Sequence, residues 1–96
     1  MALTAKQRQF LKGLAHALSP VVRVGKGGVK DSVVEETKKS LAAHELIKVR
    51  IDADEGEERR ALAAKLAAAA DAEVAGSVGK IAILYRPRDE NPTIKL

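Results

Sequence analysis

Over the first eighteen residues the apolar positions recur at helical spacing. Phe10, Leu14 and Leu18 stand four residues apart, and Leu11 and Ala15 form the adjacent column. Residues 5–17 are therefore expected to form an amphipathic helix with Phe10 in the core. Thr4 and Gln7 have capping-box spacing in front of it, and Ser19-Pro20 closes it, because the residue before a proline is pushed out of the helical region. Val21-Val-Arg-Val24 is β-branched and bounded by proline and glycine, the pattern of a strand. A second helix is expected over residues 30–43, with Val33, Thr37 and Leu41 on one face and Ser32 and Glu35 spaced as a capping box. Leu46–Ile51 reads as a central strand. Asp54 and Glu57 are spaced to cap a third helix running to Ala70, in a region where eight of residues 61–72 are alanine. Glu73–Val78 and Ile81–Tyr85 are strands joined around Gly79-Lys80 as a hairpin, and the tail 88–96 is expected to be irregular.

The resulting order, α-β-α-β-α-β-β, alternates strand and helix before a closing hairpin. Alternation implies parallel pairing through right-handed crossovers, and the hairpin adds an antiparallel strand. The expectation is one compact α/β domain over residues 1–96 with a four-stranded mixed sheet. A chain of 96 residues and 10.2 kDa suits one modest core and not two lobes around a large cleft.

Charge changes the picture more than bulk composition does. The chain holds 17 Lys and Arg against 13 Asp and Glu, a net charge of +4, and the excess is uneven. Residues 1–50 contain ten basic and four acidic side chains, whereas residues 51–80 contain four and seven. A basic front half raises the expectation of a polyanionic partner. It also predicts a polarised surface, with Arg8, Lys12 and residues 23–30 on one side and Glu55, Glu57 and Glu58 elsewhere. With no cysteine there is no disulfide, thiolate nucleophile or thiolate metal site. No apolar run approaches the ~18 residues of a membrane span, and the N-terminus has no export signal, so a cytoplasmic setting and no membrane partner are expected.

The most informative local feature is Gly25-Lys-Gly-Gly28, between a strand and a helix N-terminus. Free amides and the helix dipole favour an anion there, glycines permit close approach of a phosphate, and Lys26 adds charge. A GxxG loop of this kind clamps nucleic-acid backbone in KH-type RNA binders; a plain tight turn is the bland alternative. A phosphate-loop reading fails because Lys30 is followed by Asp31, and a dinucleotide fingerprint fails because the third glycine is missing after Gly25 and Gly27. His16 and His44 have no ligand spacing, the serines have no evident base beside them, and the acidic run 52–58 fits helix capping. No catalytic residue, metal, cofactor or small-molecule substrate is expected. Phe10 and Tyr85 are the only aromatics, which removes a stacking platform and leaves phosphate, sugar and shape as the means of holding RNA.

Several blocks together resemble the CRM domain, named for chloroplast RNA splicing and ribosome maturation, in its stand-alone bacterial YhbY-type form. They are Leu11–His16, Pro20–Gly25, the Gly25–Gly28 loop, His44–Ile51 and Gly79–Pro87, in order over residues 3–87. The resemblance implies a fold similar to the C-terminal domain of translation initiation factor three. It also implies RNA binding, with rRNA of the large-subunit precursor as partner and a role in ribosome assembly. Its GxxG loop carries over onto Gly25, Lys26, Gly27 and Gly28, and the blocks around Lys12, His16, Lys48 and Arg86 also match. The expected function is thus non-enzymatic RNA binding by a monomer, with Arg8, Lys12, Arg23, Lys26 and Lys30 around the loop. A protein-interaction module docking on a ribosomal protein or RNA-processing enzyme is the alternative; steep salt dependence would mark the former.

Overall fold

The structure, a computed structural model, describes residues 2–96. Its elements are α1 (Ala5–Ala15), β1 (Pro20–Val24), α2 (Asp31–His44), β2 (Leu46–Ile51), α3 (Gly56–Ala69), β3 (Glu73–Val78) and β4 (Ile81–Tyr85). The αβαβαββ order is the expected one, and α1 stops two residues short of its expected end. At its start the Thr4 hydroxyl accepts from the Gln7 amide at 3.1 Å, and the Gln7 side chain accepts from the Thr4 amide at 3.0 Å. The other two anticipated capping boxes do not form. Lys30 and Glu55 occupy the N-cap positions of α2 and α3 without a side-chain cap bond. Before α3 the Arg59 guanidinium turns back instead and donates to the carbonyls of Ala53 and Asp54, each at 2.8 Å.

The four strands lie in the order β1-β2-β4-β3. β1 and β2 are parallel, whereas β4 is antiparallel to both of its neighbours. The crossover through α3 therefore leaves β3 pointing the same way as β2 but not beside it, since β4 returns from the hairpin into the space between them. Burial explains the insertion. Four of the five residues of β4 are buried, so it gains from being flanked on both sides, whereas β3 ends on exposed Ser77 and Val78 and tolerates the edge.

Alternation along the inner strands divides the core into two. Ile47, Val49 and Ile51 of β2, with Ala82 and Leu84 of β4, pack under α2 and α3 against Leu41, Ala63, Leu66 and Ala67. On the opposite face Leu46, Ile83 and Tyr85 pack under α1 against Leu3, Leu11 and Ala15. A single helix thus covers the second face. It meets the sheet through the Leu11–Ala15 column, and Phe10 is 50% exposed rather than in the core. One position along a helix is a rotation of about 100°, which carries the Phe10–Leu14–Leu18 column out of the interface.

The tail after β4 is irregular but anchored. Glu45, at the bend between α2 and β2, has φ +62° and is fully buried. Its carboxylate accepts from the backbone amides of Arg88 (2.8 Å), Thr93 (2.6 Å) and Ile94 (3.2 Å). Arg88 in turn donates to the carbonyls of Ala42 (3.1 Å) and Ala43 (2.6 Å), satisfying the last turn of α2.

Candidate nucleic-acid interface

β1 runs directly into the glycine loop. The Gly28 amide donates to the Gly25 carbonyl at 3.0 Å, closing a four-residue turn, and the Lys30 amide donates to the Gly28 carbonyl at 3.1 Å. Gly28 holds φ +75°, a conformation that other residues adopt only with strain. The end of the Lys30 side chain lies over Gly27, where a β-carbon would overlap it. The loop thereby presents Lys30, with Lys26 at its tip, in front of an α2 N-terminus that no side chain caps.

The second basic region follows from strand register on the face that α1 only partly covers. Arg23 of β1 lies opposite Arg50 of β2, Arg50 opposite Ile81 of β4, and Ile81 opposite Val78 of β3. In the neighbouring row Lys48 lies opposite Ile83, and Ile83 opposite Gly76. At about 4.8 Å per strand, the first row spans roughly 14 Å from the strand that feeds the loop to the far edge of the sheet. Lys12 of α1 and His16, the C-cap of that helix, join Lys48 around a shallow groove floored by Val78, Ile81 and Ile83. Lys12 crosses closely over β3, and a β-carbon on Gly76 would come within 2.8 Å of its Cδ. Lys48 is steadied by donating to the Leu18 carbonyl at 3.0 Å.

One carboxylate sits among these cations. Asp52 accepts from Nε of Arg23 and, at 2.9 Å, from Nε of Arg50. Those bonds, Arg23 first, hold its carboxyl below the ordinary value against the opposing effect of desolvation. Asp52 holds the two guanidiniums as a pair, bridging their Nε atoms through its two carboxylate oxygens. Its position departs from the expected polarity. Because β1 and β2 are parallel, the glycine loop and the acidic run beginning at Asp52 leave the same end of the sheet. The separation that exists is between faces, since α3 with Glu57 and Glu58 packs opposite the face of Lys12 and Lys48.

Of the eight residues singled out in the sequence, Gly25, Lys26, Gly27, Gly28, Lys30 and Arg23 come together at the loop, and Lys12 lies along the groove. Arg8 does not join them through any described contact. It turns toward the N-terminus and donates to the Leu3 carbonyl at 2.7 Å. Sequence reasoning passed over Arg50 and gave Lys48 no contact, although their alternation with the buried Ile47, Val49 and Ile51 is the signal that places both on the open face.

The architecture matches known proteins over nearly its whole length. The solution structure of the hypothetical protein SAV1595 from Staphylococcus aureus superposes with a TM-score of 0.88 at 33% identity, covering 99% of each chain. The "Probable RNA-binding protein YqeI" of Bacillus subtilis is 36% identical over 98% of both chains. A Haemophilus influenzae relative named "RNA-binding protein" is 40% identical over 92% of this chain and 89% of its own. The family model of the CRS1/YhbY (CRM) domain matches residues 3–86. With a family model spanning almost all of the chain, and relatives this similar over matching lengths, the protein belongs to the CRS1/YhbY (CRM) domain family.

Proposed function

We propose that this chain is a monomeric, non-enzymatic RNA-binding protein that engages structured rRNA of the large-subunit precursor during ribosome assembly in the cytoplasm. The observation that carries the RNA-binding part is the continuity of the glycine loop with the Arg23–Arg50 pair and the Lys12–Lys48 groove. Loop amides and Lys26 would take one stretch of phosphates, and the arginine pair and Lys12 the next, while Val78 and Ile81 offer an apolar floor to ribose. Relatives named as RNA-binding proteins support this reading. The ribosomal part rests on the family resemblance.

Titration of a labelled, structured rRNA fragment at several salt concentrations tests the first part. Four or five phosphate contacts give a slope of log affinity against log salt of roughly −3 to −4. A slope near zero would refute a phosphate interface. Crosslinking in cells followed by sequencing of the attached RNA tests the second. Enrichment of large-subunit rRNA is expected, and reads scattered over messenger RNAs would remove the ribosomal assignment while leaving RNA binding in place.

A further inference from the structure

Helix α1 has two flanks of opposite character. Lys12 and His16 border the basic groove. On the other flank Phe10, Leu14 and Leu18 are 50%, 42% and 39% exposed, and Val21 of β1 extends the stripe at 48%. Together they leave on the order of 300 Å² of apolar surface open to water, within the range of the largest apolar patch on a typical monomer, which is often functional. Beside Leu14, Leu18 and Val21 runs a groove of about 360 Å³, floored by Leu46 and Ile47 and closed on one side by Ile94 of the anchored tail.

The charged side chains lining this stripe are of one kind. Lys6 and Lys95 flank Phe10, with no aspartate or glutamate side chain lining that place or the groove. We propose that the stripe docks a short amphipathic helix of a protein partner, with leucine-like side chains at i, i+4 and i+7 and glutamates or aspartates along its edges. An apolar column of helical spacing beside a groove is the geometry that accepts such a helix, and the cationic rim selects acidic flanks. A second copy of this chain fits less well. A stable dimer needs about 800 Å² from each partner, more than twice what the stripe offers, and a copy would bring rims of like charge together. RNA and the partner helix occupy opposite flanks of α1, so both can be bound at once.

The test uses the full chain and two labelled synthetic helices, one with leucines at those positions and glutamate flanks, the other with lysines replacing the glutamates. The acidic helix is expected to bind saturably by fluorescence anisotropy, with amide chemical-shift changes centred on Leu14, Leu18, Val21 and Ile94. The lysine version should bind at least tenfold more weakly. Leu14→Glu should weaken the acidic helix at least tenfold and leave the affinity for the rRNA fragment unchanged. If Leu14→Glu melts markedly lower than wild type, Phe10→Ser, at a half-exposed position, replaces it with the same expectation. Equal binding of the two peptides, shifts centred on the Lys12–Lys48 groove, or binding unaffected in the folded variants would overturn the proposal. So would concentration-dependent dimerisation abolished by Leu14→Glu, which would assign the stripe to a second copy.

Discussion

Replacing Glu45 by alanine removes the acceptor on which the C-terminal tail hangs. Three backbone amides point at its carboxylate, at 2.6, 2.8 and 3.2 Å, from a side chain with no exposed surface. Hydrogen bonds to a charged partner contribute about 1.5–3 kcal/mol each, so the naive total exceeds 4 kcal/mol. The realised loss is smaller, because a tail released from Glu45 can rehydrate its amides while giving up the packing of Ile94. We expect about 3 kcal/mol, in line with breaking other buried charged networks, against a total stability of roughly 5–14 kcal/mol for a chain of this length. The melting temperature should fall by roughly 10–25 °C. Glu45→Gly should cost about 1 kcal/mol less than Glu45→Ala, since glycine relieves the strain at φ +62°.

The same site predicts a pH dependence. Burial pushes the Glu45 carboxyl up, but the amides of Arg88, Thr93 and Ile94 together outweigh it and hold the group below its ordinary value of 4.5. A carboxyl depressed in the folded state stabilises at pH above its unfolded value, and that contribution is lost as pH falls through the folded value. Wild-type stability should therefore decline below about pH 4.5, and Glu45→Gln should flatten part of that decline while lowering the plateau. Urea unfolding at a series of pH values, read by circular dichroism, measures both effects. A loss under 1 kcal/mol for Glu45→Ala at neutral pH, with an unchanged pH profile in Glu45→Gln, would refute the anchoring role.

Other substitutions separate the remaining roles. Lys26→Ala should leave the melting temperature unchanged and reduce the salt slope of RNA binding by about one unit, measured by titration at several salt concentrations. Gly28→Asp is a poorer probe, because Gly28 sits at φ +75°; it should cost about 1 kcal/mol of stability in thermal melts as well as repelling phosphate. Gly27→Ala should displace the Lys30 side chain and weaken RNA binding with little change in stability, as paired melts and titrations would show. Leu11→Ala, at a position with no exposed surface, should cost about 2–5 kcal/mol in urea unfolding, whereas Phe10→Ala should cost about 1 kcal/mol or less. Equal losses at the two positions would contradict the observed orientation of α1.

Local signals were enough for the element order and for the glycine loop. Helical spacing, β-branched runs, Thr4 with Gln7 and the Gly79-Lys80 turn each act within a few residues, so they are legible along the chain. Everything that depended on which neighbours an element would meet needed the tertiary structure. Two adjacent apolar columns on α1 compete for one interface, and the Leu11–Ala15 column takes it while Phe10 stays half exposed; helical spacing alone cannot rank the two columns. The insertion of β4 between β2 and β3 is likewise a decision about burial of a whole strand, not about the hairpin that precedes it. Glu45 reads as an ordinary charged residue near a helix end, and only the return of the tail, more than forty residues later, turns it into a buried anchor. The candidate interface divides the same way. Its loop is contiguous in sequence and was visible there, whereas the row from Arg23 to Val78 joins four strands and exists only through their register.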